Sequence, residues 1–297
     1  MTVAEIKPRK ASWRDYLTLT KPRIIELLLV TTVPTMMFAA GGWPELGLAI
    51  ATLIGGSLAA AGANVLNCYI DIDIDSQMPR TAHRATASGL IGARQTVVFG
   101  LTLSFFAIVI LGTFTNSVAA SLAALAIIFY VGVYSLILKR RTKQNIVWGG
   151  IAGSFPVVIG WSAVTGSLSW EPIVLFIIVF WWTPPHYWPL AIQFKDEYAK
   201  VNVPMLPVVE PATEVVRQII IYSWIMVGFS LLLIPAAGVV YAVSAVAAGV
   251  WFLYSTYRLR SAIANEVNVG KSAMAIFHGS ITYLSVIFLA VGVSAFF

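Results

Sequence analysis

Charge is what this chain has least of. Asp, Glu, Lys and Arg make up 11% of its 297 residues, under half the roughly 25% of a soluble domain. That shortage excludes an ordinary soluble enzyme, and equally a disordered chain, which stays solvated by charge. Cysteine occurs once, as Cys68, so no disulfide scaffold is open to the chain. No low-complexity tract or detachable domain interrupts it. The residues that replace charge are apolar, at 59% of the chain and a mean hydropathy of +0.84. They imply a single polytopic membrane domain over residues 1–297.

A spanning helix needs about 20 mostly apolar residues. The apolar runs 24–40, 46–66, 97–114, 118–138, 146–164, 172–192, 219–237, 239–257 and 274–297 predict about nine such helices in an all-α fold around a central cavity. The break at Pro235-Ala236-Ala237-Gly238 separates the seventh from the eighth. Strands are excluded, because the runs lack alternation and lipid offers no partner to open backbone groups.

Every one of the 19 basic residues falls on one side of this topology. Six lie in residues 1–23: Lys7, Arg9, Lys10, Arg14, Lys21 and Arg23. The others lie in alternate connections, while Gly41-Gly42-Trp43-Pro44-Glu45 and Thr115-Asn116-Ser117 contain none. The positive-inside rule then places the N-terminus and the cavity mouth in the cytoplasm, and Phe297 on the opposite side. Cations facing anionic lipid account for the net charge of +6 and exclude a nucleic-acid partner. Residues 1–13 lack the apolar core of a signal peptide, so the first span is the expected insertion signal and a bacterial inner membrane the expected setting. Two connections on the basic side, 67–96 and 193–218, are long, which in a compact protein points to function.

The first opens on Asn67, Asp71 and Asp75, spaced four apart. On a helix these drift only about 80° around one face while rising about 12 Å, whereas Asp73 points away. Two carboxylates and an amide at a helix end suit Mg²⁺, which takes hard oxygen ligands and substrate phosphates. The bland alternative is a solvated helix end answering nearby arginines, although ionisable groups beside spans are costly and usually functional. Arg80 and Arg84 follow, as a diphosphate clamp or as topology signals. The second connection is preceded by Trp182-Thr183-Pro184-Pro185-His186-Tyr187-Trp188-Pro189, whose three prolines predict a broken helix lining a cavity. There His186 can ligate a metal or porphyrin iron, hydrogen-bond a substrate carboxylate, or serve structure alone. Asp196, in Phe194-Lys195-Asp196-Glu197-Tyr198-Ala199-Lys200, is the candidate for a second Mg²⁺ contact. His278 reads as a packed histidine with a polar partner, and Cys68 as a small apolar filler.

Asn67-x-x-x-Asp71-x-x-x-Asp75 with Met78-x-Arg80-Thr81-x-x-Arg84 resembles the first signature of the UbiA-type intramembrane prenyltransferases. Trp182-Thr183-Pro184-Pro185-His186-Tyr187-Trp188, Phe194-Lys195-Asp196 and Pro204-Met205-Leu206-Pro207 are similar to the haem O synthase (protoheme IX farnesyltransferase) branch. Thr20-Lys21-Pro22-Arg23, Tyr134 with Lys139-Arg140-Arg141, and Ser280-Ile281-Thr282-Tyr283 fit the same branch, so the match runs nearly the whole chain. Two departures stand out: Lys200 occupies the end of what would be a second Asp-x-x-x-Asp, and Ala85 stands where a proline is common.

The resemblance implies transfer of a farnesyl group from farnesyl diphosphate to a vinyl group of haem b, with water addition. Haem b is then substrate and Mg²⁺ cofactor. Catalytic roles fall to Asn67, Asp71, Asp75 and Asp196, with Asp71, Asp75 and Asp196 on the metal. Arg80, Arg84, Lys139, Arg140 and Lys195 take the diphosphate, and His186 the haem. A haem A-forming enzyme or oxidase assembly machinery is the implied protein partner. A quinone- or chlorophyll-type prenyltransferase would share the first strip but calls for the missing second carboxylate pair. A secondary transporter would set its charges near the midplane of interrupted spans, where little but Glu26 is found.

Overall fold

The computed structural model describes residues 10–297, apart from the side chains of Ile24, Glu26, Leu27 and Leu28. Lys7, Arg9 and the Glu26 side chain therefore lie outside the described residues. A short helix α1 (Trp13–Leu19) precedes α2 (Pro22–Ala40), α3 (Leu46–Ile70) and the brief α4 (Ile72–Gln77). Then come α5 (Ala93–Phe114), α6 (Ser117–Ile128), which runs on with π geometry over Phe129–Leu138, and α7 (Asn145–Thr165). α8 (Trp170–Gln193), the short α9 (Lys195–Lys200) and α10 (Leu206–Val209), α11 (Ala212–Leu232), α12 (Ile234–Ala264) and α13 (Val269–Ser294) complete the chain.

Among the described residues eight helices are long and apolar enough to cross a bilayer, against the nine expected. The ninth expected run lies in α2 (Pro22–Ala40), where Leu29–Ala40 is the apolar stretch among the described residues. Several helices overrun the apolar limits of their spans: α11 begins at Ala212, α3 reaches Ile70, and α12 continues past Arg258 and Arg260. Their polar ends need only backbone hydrogen bonds, which a helix supplies in water as in lipid. Gly238, at φ 73° and ψ −168°, kinks the start of α12, a conformation that costs a glycine little.

Consecutive long helices neighbour one another, and α13 returns to α2, so the helices close a ring. α7 and α13 are the most buried of the spans, and α5 and α6 the least. Phe105, Phe106, Leu125, Val243 and Val250 are exposed, as lipid-facing side chains must be. α3 and α5 cross most closely. A Cβ on Gly62 would lie 2.4 Å from Ser104 Oγ and 2.8 Å from the Gly100 carbonyl, so only glycine lets the backbones meet.

The expected break in α8 does not occur: Pro184, Pro185 and Pro189 are buried inside a continuous helix. Proline removes a hydrogen bond to the carbonyl four residues back, but neighbouring helices hold the chain here. A Cβ on Gly150 of α7 would lie 3.2 Å from the Phe180 carbonyl and 2.7 Å from Thr183 Oγ1. Trp182 Nε1 is anchored on the Ser280 carbonyl of α13 at 2.7 Å. Nor are the two long connections open loops. Ile74 and Met78 of the first pack in one apolar cluster with Tyr198, Val203 and Met205 of the second, which brings the two together at one end of the bundle.

Gly62→Val should clash with Ser104 and the Gly100 backbone, a strain of about 1–3 kcal/mol. It is expected to lower the melting temperature of the detergent-solubilised protein, and an unchanged value would refute the close α3–α5 crossing.

Candidate active site

The strip seen in the sequence survives a change of helix. Asp71 ends α3 and begins α4 at φ −95° and ψ 10°. Its N–H still bonds the Asn67 carbonyl (3.0 Å), and the Asp75 N–H bonds that of Asp71 (2.7 Å). Asn67, Asp71 and Asp75 thus stack in register, and all three are buried.

The Asp71 carboxylate is 1% exposed and pairs with Lys139 Nζ. Asn67 Nδ2 donates to the same oxygen, Oδ2, at 2.8 Å and to Ser135 Oγ at 3.1 Å. The amide's own oxygen accepts from Lys21 Nζ at 2.7 Å. Lys21, which precedes Pro22, holds a left-handed backbone (φ 55°) at the head of α2, a strained conformation for a residue with a side chain. The π segment supplies the other partners: Ser135 Oγ donates to the Tyr130 carbonyl five residues back (2.8 Å), and Lys139 N–H to that of Tyr134 (2.9 Å). Such widened turns recur at functional sites.

Asp75 accepts from Arg84 at 2.6 Å. Asp73, the exposed carboxylate, takes a bidentate pair from Arg140 at 2.6 and 2.7 Å. That hydrogen-bonded guanidinium holds the Asp73 carboxyl below its ordinary range. The Asp73–Arg140 pairing therefore contributes to stability above the ordinary carboxylate range and is lost as pH falls through the lowered value. Arg140 also reaches within 3.8 Å of Asp71 Oδ1. That oxygen is buried and has no hydrogen-bond partner, so one acceptor at the centre of the site is unspent.

Arg80 stands apart from the acidic strip. It donates to Tyr198 Oη at 3.2 Å and lies over the Phe194 ring at 4.9 Å, and Tyr198 Oη meets Tyr187 Oη at 3.2 Å. Asp196 and Lys195 are both exposed on α9. Among the described residues no three His, Cys, Asp or Glu side chains converge as a metal-ligating group, so Asp196 does not join Asp71 and Asp75. Two residues along from Asp196 on a helix is the opposite face, and Tyr198 and Phe194 take the inward one. Glu197, passed over in the sequence, has a buried, unpartnered Oε2.

His186 stacks between Trp182 (4.1 Å, 15°) and Phe277 (4.8 Å, 26°). Its Nδ1 is 2.8 Å from Ser280 Oγ, and that hydroxyl donates to the Phe277 carbonyl at 2.6 Å. With the hydroxyl proton spent, Nδ1 is the donor and Nε2 keeps its lone pair. Cys68 is buried, as a filler should be. His278 is exposed rather than packed, with Nδ1 on the Met274 carbonyl at 2.8 Å.

An apolar cavity runs between α2, α3, α6 and α7, with an empty volume of about 840 Å³ counting its open mouth. Along α3 its lining extends from Thr52 to Asn64, about 18 Å at the helical rise. Gly56, Ala60, Ala63 and Gly153 make the room. Its polar residues at one end are Asn64 and Tyr130, one turn from Asn67. Tyr130 stacks on Tyr134 at 5.4 Å. A long apolar slot thus ends beside buried carboxylates and cations, which is the shape of a site for a prenyl chain with an anionic head.

Solved structures share this architecture. A digeranylgeranylglyceryl phosphate synthase superposes with a TM-score of 0.77 over 95% of this chain and 98% of its own, at 17% identity. A UbiA homologue from Archaeoglobus fulgidus bound to GPP and Mg²⁺ gives 0.67 over 93% and 99%, at 15% identity. The fold is that of the UbiA-type prenyltransferases. The family model for the UbiA prenyltransferase family matches residues 28–277. A protoheme IX farnesyltransferase of Clavibacter sepedonicus is 53% identical over 94% of this chain and 92% of its own. One from Streptomyces avermitilis is 52% identical over 98% and 96%. The chain therefore belongs to the UbiA prenyltransferase family and, within it, to the protoheme IX farnesyltransferases.

Lys139→Met would leave Asp71 as a buried charge without its ion-pair partner, a loss of about 3–5 kcal/mol. The melting temperature should fall markedly, and adding Asp71→Asn should restore much of it without restoring turnover. A single variant as stable as the parent would show that the pair does not carry the buried charge.

Proposed function

We propose that the chain transfers the farnesyl group of farnesyl diphosphate to a vinyl group of protohaem IX at the Asp71 site, giving haem O and diphosphate. The observation that carries this reading is the apolar slot ending on buried Asn67, Asp71 and Asp75, with Lys21, Arg84, Lys139 and Arg140 around them.

Mg²⁺ fits this end of the slot. The unpartnered Oδ1 of Asp71 is a hard oxygen donor already stripped of water, and diphosphate oxygens would complete a shell begun by Asp71 and Asp75. Asp196 is not needed. The bound ion would supply neutralisation of charge on the leaving diphosphate. Lys139, Arg140 and Lys21, held by carboxylates and amide without substrate, would turn to the phosphate oxygens. There they stabilise the negative charge that develops as the C–O bond breaks. Lys195 is exposed, at the rim.

The residues of the slot do the remaining work. Its small side chains hold the farnesyl chain and exclude water while the allylic cation exists. The stacked faces of Tyr130 and Tyr134 offer that cation aromatic electron density. The vinyl carbon bonds to the farnesyl C1. Water then adds to the resulting porphyrin-side cation and releases one proton. His186, with Nδ1 tied to Ser280 and Nε2 free, would hold the haem substrate by its iron. We place the protein in a bacterial inner membrane with the Asp71 end cytoplasmic, a reading supported by the confinement of all 19 basic residues to one side. A haem A-forming enzyme would consume the product.

The purified protein with haem b, farnesyl diphosphate and Mg²⁺ should yield a haem heavier by one farnesyl group and one water, read by mass spectrometry. Prenylation of 4-hydroxybenzoate in place of haem would move the chain to the quinone branch. Asp71→Ala should abolish turnover and leave haem binding largely intact. His186→Ala should shift the absorption spectrum of bound haem; an unchanged spectrum with normal turnover would remove it from the site.

A further inference from the structure

Three arginines were candidates for the diphosphate, and they differ in what holds them. Arg84 spends its charge on Asp75, and Arg140 on Asp73. Arg80 forms no ion pair among the described residues; its partners are the Tyr198 hydroxyl and the face of Phe194. Both are neutral. Phe194 and Tyr198 are one helical turn apart, joined by the Tyr198 N–H bond to the Phe194 carbonyl at 3.2 Å, so they present one face to Arg80. Tyr198 is buried and is itself braced by Tyr187. Its ring packs in the cluster that unites the two connections. Glu197 lies within electrostatic reach of Arg80 without pairing with it.

We infer that Tyr198, supported by Phe194 and Tyr187, is a positioning residue that presents a fully charged Arg80 to the diphosphate, so that the second connection steadies a guanidinium of the first instead of supplying a second carboxylate–metal pair. This rests on the proposed farnesyl diphosphate site. Its physical sense is direct. An arginine held by carboxylates must trade one anion for another when substrate arrives, whereas one held by an aromatic face and a hydroxyl keeps its whole charge for the incoming anion. The planar fork is also oriented beforehand, so less freedom is lost on binding. The acidic strip and Arg80 would then grip the diphosphate from two sides, one through metal and one without it. Asp196, facing solvent, has no part in either.

The test is calorimetric binding of inorganic pyrophosphate to the full-length protein, alongside the KM for farnesyl diphosphate and spectroscopic titration with haem. Tyr198→Phe keeps the ring and removes the hydroxyl that holds a charged group, a bond whose loss is worth about tenfold or more in affinity. It should weaken pyrophosphate binding and raise the KM for farnesyl diphosphate by that factor, with kcat and haem affinity near those of the parent. Arg80→Gln should weaken pyrophosphate binding and raise the KM more strongly and should also lower kcat, since it removes a charge that answers the leaving diphosphate, and the Arg80→Gln/Tyr198→Phe double variant should be no worse than Arg80→Gln alone, since Tyr198 acts only through Arg80. Additive losses, or an unchanged pyrophosphate affinity in Tyr198→Phe, would overturn the inference. So would Glu197→Gln reproducing the whole effect, because the anchor of Arg80 would then be the carboxylate. A parent that binds pyrophosphate but farnesylates no haem would count against the proposed reaction and leave the role of Tyr198 standing.

Discussion

A carboxylate buried at the end of a membrane helix survives only if its charge is answered, and the answer to Asp71 organises this protein. Lys139 comes from the π segment after α6, Asn67 from the preceding turn of α3, and Lys21, through Asn67, from the head of α2. One buried charge thus ties α2, α3 and α6 together at one end of the ring. Desolvation makes every break in this network costly. It also explains two local irregularities: Lys21 accepts a left-handed backbone, and α6 accepts a widened turn. Both are conformations a helix or its cap would otherwise avoid, and both deliver an amine or hydroxyl to the same point.

The two connections at this end carry different kinds of group. The first carries carboxylates paired with Lys and Arg, and the second carries aromatic and hydroxyl groups that steady Arg80. They meet through an apolar cluster rather than through charge. Apolar contacts are indifferent to an exchange of ions beside them, so this cluster would hold through the diphosphate binding proposed above. His186 follows the same logic: aromatic rings fix its plane and a hydroxyl fixes its tautomer, leaving one nitrogen for a ligand.

Below the charged end, space is made by small side chains. Gly56, Ala60 and Ala63 open the slot from α3, and Gly153 from α7. The same economy on another face of α3, at Gly62, allows its tight crossing with α5. Small residues thus serve two opposed ends in one helix, a void on one face and close contact on another. Which of the two occurs depends on whether a neighbouring helix is free to close in.

Composition and the one-sided placement of Lys and Arg were sufficient to determine an all-helical membrane protein, because lipid permits so few alternatives to a spanning helix. The four-residue spacing of Asn67, Asp71 and Asp75 was legible for the same reason: helical periodicity is local. Local patterns misled where neighbours decide. Three prolines predicted a broken α8, yet tight packing on α7 and anchorage on α13 keep it whole. The side on which Asp196 stands was equally out of reach of its local pattern: α9 buries Tyr198 and leaves Asp196 exposed. Lys21 and Ser280 stood in sequence only as parts of family motifs and Ser135 not at all, since their roles come from partners more than 40 residues away. Sequence fixes which face a residue occupies along its own helix; only tertiary packing decides what that face meets.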